Sequence, residues 1–189
     1  MAQPSAGAAP SRASGTRAKF ALSTACLGAL CATLVTTAIP QVESGGKQYL
    51  RAYKDIAGVW TICDGDTKGV KKGDVDTVAG CEVRLDRRVA HEFGPAVLKR
   101  APALKGHDWQ LAAAIVFAWN VGIKGWNSST AAKRFAASDF AGGCAALGPY
   151  FVDGGKTVPG WIKAGGKVSQ GLINRRTKER TLCLTGSLK

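Results

Sequence analysis

The sequence predicts an α+β fold, mostly helical, with one small antiparallel sheet near the start of the folded part and an apolar helix ahead of it. Three observations predict it. Beyond residue 78 apolar residues recur at three- and four-residue steps, the helical spacing. Residues 49–62 are instead rich in β-type side chains and broken by Ala57-Gly58, the pattern of a short hairpin. Residues 20–39, FALSTACLGALCATLVTTAI, contain no charge at all.

Taken in order, residues 1–19 are rich in Ala, Ser and Gly, lack hydrophobic periodicity and carry Arg12, Arg17 and Lys19, so a basic flexible leader is expected. At about 1.5 Å per residue, a helix over 20–39 just spans a hydrocarbon core of about 30 Å. The stretch is diluted by Ala, Thr, Ser, Gly and Cys. Because each Leu or Ile favours insertion by only about 0.3–0.6 kcal/mol, its hold on a bilayer is weak. Four readings compete: a cleaved secretory signal with Thr36-Thr37-Ala38 at its end, a permanent anchor, a span that is later released, and a buried core helix. The first three place the rest of the chain outside the cytoplasm. The expected organisation is a leader over 1–19, a signal or membrane segment over 20–40 and a folded domain over 41–189.

Within that domain, residues 67–77 form a loop rich in Gly and Lys. Val78, Cys81, Leu85, Val89 and Phe93 mark an amphipathic helix that Gly94-Pro95 disrupts. Leu111, Ile115 and Trp119 mark another, with Asp108 as N-cap and an end at Gly122. Its sequence LAAAIVFAW is apolar on nearly every side and predicts a buried central helix. Further helices are expected at 129–137, 139–147 and 174–184.

The chain carries a formal net charge of +13 with a pI near 9.8. Most of that charge belongs to the folded part and suits a polyanion: nucleic acid, an anionic membrane surface or an acidic cell-wall polymer. Cys63, Cys81, Cys144 and Cys183 form an even set in the domain, while Cys26 and Cys31 lie in the apolar segment. Without C-x-x-C spacing a disulfide framework is favoured over zinc, and four cysteines allow three pairings.

Several chemistries are excluded. There is no G-x-S-x-G, and His91 and His107 lack a triad context. GGKT at 154–157 lacks the first Gly of a phosphate loop, and Asp74 and Asp76 lack the remaining ligands of a calcium loop. No metal or cofactor is called for. Carboxylates remain. Glycoside hydrolysis needs one acid for the leaving oxygen and a second group to handle water, and Glu43 and Asp55 flank the first hairpin strand.

The run YLRAYKDIAGVWTICDGDT resembles the signature of phage-type lysozymes, glycoside hydrolase family 24. The likeness continues through FAWNVGIKGWNSST, GGCAAL and GLINRRTKERTLCL, in order, over nearly the whole of 43–184. The branch most similar is that of endolysins with a signal-arrest-release N terminus, where a weak apolar segment directly precedes the catalytic Glu. This resemblance implies a lysozyme-like domain in which Asp55 is the catalytic aspartate, Thr61 helps hold the attacking water and Glu43 is the general acid. The family Glu usually lies nine residues before the Asp, a position that Gly46 occupies here. Glu43 stands twelve before it: either the turn after the acid has gained three residues, Gly45-Gly46 supplying the freedom, or the acid is lost and the chain is a non-catalytic relative. Asp66 replaces a frequent His, and Arg175 occupies the position of an Arg that approaches the catalytic Glu.

The expected reaction is hydrolysis of the β-1,4 bond between N-acetylmuramic acid and N-acetylglucosamine. The implied partners are peptidoglycan as substrate and the inner membrane through residues 20–39 before release, with no nucleic acid and a monomeric chain, exported to the periplasm of a bacterial host. A non-catalytic wall-binding relative and a cationic membrane-disrupting protein are the alternatives. Trp119 and Trp126 are candidates for the sugar cleft, with Trp119 placed rather in the core. The expected disulfides are Cys63 with Cys81 and Cys144 with Cys183.

Overall fold

The computed structural model describes residues 21–55 and 58–189, so the leader lies outside the described residues. The apolar stretch forms two helices, α1 (Ala21–Leu27) and α2 (Ala29–Ser44), because Gly28 adopts φ 87° between them. Neither stands apart from the domain. Leu27, Cys31, Val35, Ala38 and Ile39 are buried in the main core, α2 against the central helix and α1 against the helices that follow the hairpin. Each such aliphatic side chain contributes about 1.5–3 kcal/mol when fully buried. The structure therefore shows this segment in a docked state, as core helices. No described helix is long and apolar enough to cross a membrane.

The expected boundary at 40/41 falls inside α2. Pro40 lacks the amide that would close its own turn, yet the helix continues to Ser44, and Val42, two residues on, packs against the core. It stops at Gly45 (φ 64°) and Gly46 (φ 85°), whose amides turn back to the carbonyl of Pro40. The two left-handed positions favour glycine, and they make the turn that follows Glu43.

Strands β1 (Tyr49–Lys54) and β2 (Trp60–Cys63) pair antiparallel, with Tyr53 opposite Thr61 and an irregularity between Tyr49 and Tyr53. Ile56 and Ala57 at the turn lie outside the described residues. The 67–77 loop joins this hairpin to α3 (Val78–Arg88), whose first turn Thr77 caps by accepting from the Gly80 amide at 3.0 Å. A disulfide between Cys63 and Cys81 ties β2 to α3.

The helical run is disrupted just before Gly94-Pro95, but it does not end there. A π-helical turn at Val89–Phe93 leads directly into α4 (Gly94–Arg100). Pro95 sits in the first turn of α4, where a missing donor costs least. Gly94 serves packing: a Cβ there would lie 2.9 Å from Leu27 Cδ2, so its absence admits α1.

Helix α5 (Asp108–Ser128) is the centre of the molecule, every residue from Leu111 to Ala118 being buried. Asp108 is its first residue, with His107 at the N-cap. The end expected at Gly122 is an interruption (φ 76°, ψ 162°) after which the helix resumes. Helices α6 (Thr130–Ala136) and α7 (Phe140–Leu147) follow, capped by Ser129 and Asp139. Two further hairpins correct the expectation of one sheet: β3 (Tyr150–Asp153) with β4 (Lys156–Pro159), and β5 (Lys163–Ala164) with β6 (Lys167–Val168). Strands of four and two residues are too short for alternation to show in sequence. Helix α8 (Gln170–Thr185) packs on α5 and α7, and Cys144–Cys183 joins α7 to it. In the loop-entropy description, closures of 18 and 39 residues contribute about 3 and about 4 kcal/mol respectively.

Candidate active site

A cleft of about 550 Å³ opens between the first hairpin and α5, and Glu43, Tyr53, Asp55, Thr61, Trp119 and Gly122 all line it. Glu43 arrives from the last turn of α2, Asp55 from the hairpin turn and Thr61 from β2. The glycine stop after α2 lets one acid end a helix while the chain reverses to bring the other acid to the same cleft.

Glu43 is mostly buried and held by α8, where Arg175 Nη1 donates to its Oε1. Burial pushes the Glu43 carboxyl above its ordinary range, and this outweighs the opposite pull of Arg175 and Arg176. Nearby Asp64 adds to the rise. Asp64 is itself buried; its Oδ2 accepts from Gln48 Nε2 at 2.9 Å, and its backbone carbonyl accepts from Trp119 Nε1 at 3.0 Å, fastening the end of the hairpin to α5. At Gly65 (φ 87°) a Cβ would stand 3.4 Å from Glu43 Oε2, so a side chain there would crowd the carboxyl.

Asp55 is fixed across its turn. Its Oδ1 accepts from the Val59 amide at 2.8 Å, and its own amide donates to the Val59 carbonyl at 2.9 Å. Thr61 is buried and donates its hydroxyl to the same carbonyl at 3.1 Å. A hydroxyl that has spent its proton still accepts, so Thr61 can receive a hydrogen bond from water.

Behind Glu43, Arg176 and Glu179 are both fully buried and paired at 2.6 Å, and Arg176 also donates to Asn120 Oδ1 at 2.9 Å and lies 4.7 Å over the Phe117 ring. Burial pushes the Glu179 carboxyl up to about 8 and lowers Arg176. Successive arginines of α8 thus divide: Arg176 anchors the helix in the core and Arg175 meets the acid.

Asp66 is buried and bound by Arg84 Nη1 at 3.3 Å and by Arg88. Arg88 lies 5.7 Å over the ring of Trp119. The position that often holds His in the resemblance is here the centre of an ion-pair cluster on the cleft wall.

Of the two tryptophans offered for the cleft, only Trp119 reaches it, while it also packs against the core. Trp119 lines the cleft, whereas Trp126 is fully buried against Phe117 and Phe135. Gly122 interrupts α5 between them, so helical spacing does not carry across. Tyr53 was missed, although it lies two positions before Asp55 where strand alternation would put both on one side. Asp64, Arg88 and Asn120 carried no local signal. His91 and His107 are exposed, His107 stacking on Phe140 at 4.1 Å, and of GGKT the two glycines make the β3–β4 turn while Lys156 and Thr157 begin β4. Cys63, Cys81 and Asp76 converge, but the disulfide leaves no thiolate for a metal.

A model of the family described as Phage lysozyme matches residues 43–179, beginning at the buried acid itself. The chain belongs to the phage lysozyme family. It is a lysozyme-type glycoside hydrolase. Among relatives of this phage lysozyme, the SAR-endolysin of Enterobacteria phage P21 is 32% identical over 166 residues, covering 84% of this chain and 90% of that protein. The SAR-endolysin of Pseudomonas phage phiKMV is 37% identical over 139 residues, 72% and 79% of the respective chains. The endolysin from Escherichia coli O157:H7 phage FAHEc1 has a solved structure that is similar at TM-score 0.53 and 27% identity, covering 81% of this chain and 92% of that one.

Proposed function

We propose that this phage lysozyme is a peptidoglycan muramidase that hydrolyses the β-1,4 bond between N-acetylmuramic acid and N-acetylglucosamine and so lyses a bacterial host. The observation that carries the reading is the convergence of Glu43, Asp55 and Thr61 on one cleft, with the Glu43 carboxyl raised by burial. Glu43 gives its proton to the glycosidic oxygen as the C–O bond breaks. Asp55 and Thr61 hold a water on the opposite face of the sugar; the water oxygen bonds to the anomeric carbon and its proton passes to Asp55. That course inverts the anomeric centre. Trp119 and Tyr53 offer flat faces to the pyranose rings, and the net charge of +13 concentrates the enzyme on an acidic wall.

The likeness to the SAR-endolysins supports a route to the wall in which residues 20–39 first enter the inner membrane and are then withdrawn. A signal cleaved after Ala38 fits less well, since it would strip α1 and most of α2 from the core.

The test is Glu43→Gln on purified peptidoglycan. Removing the general acid lowers reducing-end release by about 10²–10⁴-fold while binding to the wall survives. Reducing-end release at the wild-type rate would exclude Glu43 as the acid.

A further inference from the structure

The β3–β4 hairpin has two faces of different character. Phe151 packs on the main core, Arg134 lying 5.7 Å over its ring, and its cross-strand partner Val158 shares that side. The opposite face, Tyr150 and Val152 on one strand with Pro159 and Thr157 across from them, is exposed throughout. Pro159 also lines a groove of about 350 Å³, with Ser128, Phe151, Trp161 and Lys163 among its other walls. Trp161 meets Phe117 nearly at right angles, ring centres 6.2 Å apart, and Lys163 pairs with Val168 across β5–β6, so the surface runs on to the last hairpin. Tyr150, Val152, Trp161 and Val168 are from 43% to 59% exposed. Large apolar side chains so placed form a patch, which marks a site of contact where single ones would not. Its charge is one-sided. Residues 150–169 supply Lys156, Lys163 and Lys167, all exposed, and a single acid, Asp153, which Arg134 already holds at 2.9 Å.

We infer that the two hairpins are a docking surface for an anionic phospholipid bilayer, a contact separate from residues 20–39. Amphipathic Trp and Tyr rings favour the headgroup level of a bilayer, where Trp161 and Tyr150 would lie with Val152 and Val168 beneath the headgroups. Lys163 and Lys167 meet the anionic headgroups while their alkyl stems rest on apolar surface. A glycan is held instead by hydrogen bonds from groups fixed at definite points. Besides its lysines this face offers only the hydroxyls of Tyr150 and Thr157, set among valines and a proline. A chain whose apolar segment is docked in its own core therefore still lies against a bilayer, held by its surface alone. The assignment goes beyond the muramidase reading and does not depend on it.

The test sediments the soluble full chain with vesicles of phosphatidylglycerol and phosphatidylethanolamine, and with vesicles of phosphatidylcholine alone. The chain binds the first and not the second, and binding weakens as salt rises. Each lysine at an anionic surface strengthens binding about fivefold, so Lys163→Ala with Lys167→Ala weakens it by about 25-fold. Lys71→Ala with Lys72→Ala, the same charge taken from the 67–77 loop, weakens it less than about threefold. Acyl chains carrying bromine quench tryptophan fluorescence, and the quenching is lost in Trp161→Phe, which keeps an aromatic ring against Phe117. Unchanged thermal unfolding shows that each variant is folded. Absence of wild-type binding to the anionic vesicles, equal weakening by the two double variants, or quenching that survives in Trp161→Phe overturns the bilayer assignment. So does a loss of binding to purified peptidoglycan, with vesicle binding intact, in the variant lacking Lys163 and Lys167, which would give the face to the wall.

Discussion

Glu43 shows how much of a residue's chemistry is set by its surroundings. Its carboxyl is raised by burial first and lowered by Arg175, two effects of opposite sign on one group. A general acid works only while protonated, so activity holds below its raised pKa and falls as pH rises through it. Arg175→Ala removes the lowering influence and moves the alkaline limb of the kcat profile to higher pH. It also removes the hydrogen bond that orients the carboxyl, so the acid plateau drops by about ten- to a hundredfold. A limb that moved to lower pH would show that Arg175 acts by some other route. Glu43 and Asp55 could be read from type, order and resemblance. Burial could not, because it depends on α5 and α8, far away in the chain.

At the scale of elements, α1 and α2 are the part of the molecule with two possible lives. Their apolar composition was legible; their break at Gly28 and their place in the core were not. What fastens α1 is Asp86 on α3, a buried carboxylate that accepts from the amides of Leu22 at 3.1 Å and Ser23 at 2.8 Å. Leu22 and Ser23 are the second and third residues of α1, so the carboxylate caps its first described turn and faces the positive end of the helix. Asp86→Ala lowers stability by about 0.5–2 kcal/mol, the usual cost of losing a helix cap. Hydrogen exchange should then show faster exchange over α1 before α5 changes; equal protection in α1 would argue against the clamp. The contact spans more than sixty residues, which is why no local pattern announced it. The disruption at Gly94-Pro95 was legible, but not the continuation beyond it: Pro95 opens the next helix, and Gly94 makes room for Leu27.

At the scale of the whole molecule, docking of the apolar segment and the proposed acid share one helix. Glu43 ends α2, whose earlier turns, including Cys31, Val35, Ala38 and Ile39, are core. Residues 20–39 cannot lie in a bilayer and in this core together, so a membrane-held chain lacks the α2 packing that carries Glu43 to the cleft. Val35 and Ile39 alone contribute about 1.5–3 kcal/mol each, against a net stability of about 5–15 kcal/mol for a typical domain. Intact-mass measurement of the soluble, lytic protein from a periplasmic fraction should therefore find residues 20–39 retained. An active form that began after Ala38 would refute the withdrawal route.

By itself the sequence determined the kinds of element and most of their order, the charge-free segment, the basic surface, and the residue types of the site. Those follow from periodicity, capping and composition, which are local properties of a chain. Tertiary structure decided which acid is buried, which tryptophan faces the cleft, where the apolar segment lies and which cations are already spent on neighbouring acids. Each of those turns on contacts between distant residues, and desolvation and pairing have no local signature. The turn after Glu43 shows both sides: its glycines were visible, but only the left-handed conformation at Gly45 and Gly46 decided that the acid ends α2 at the cleft.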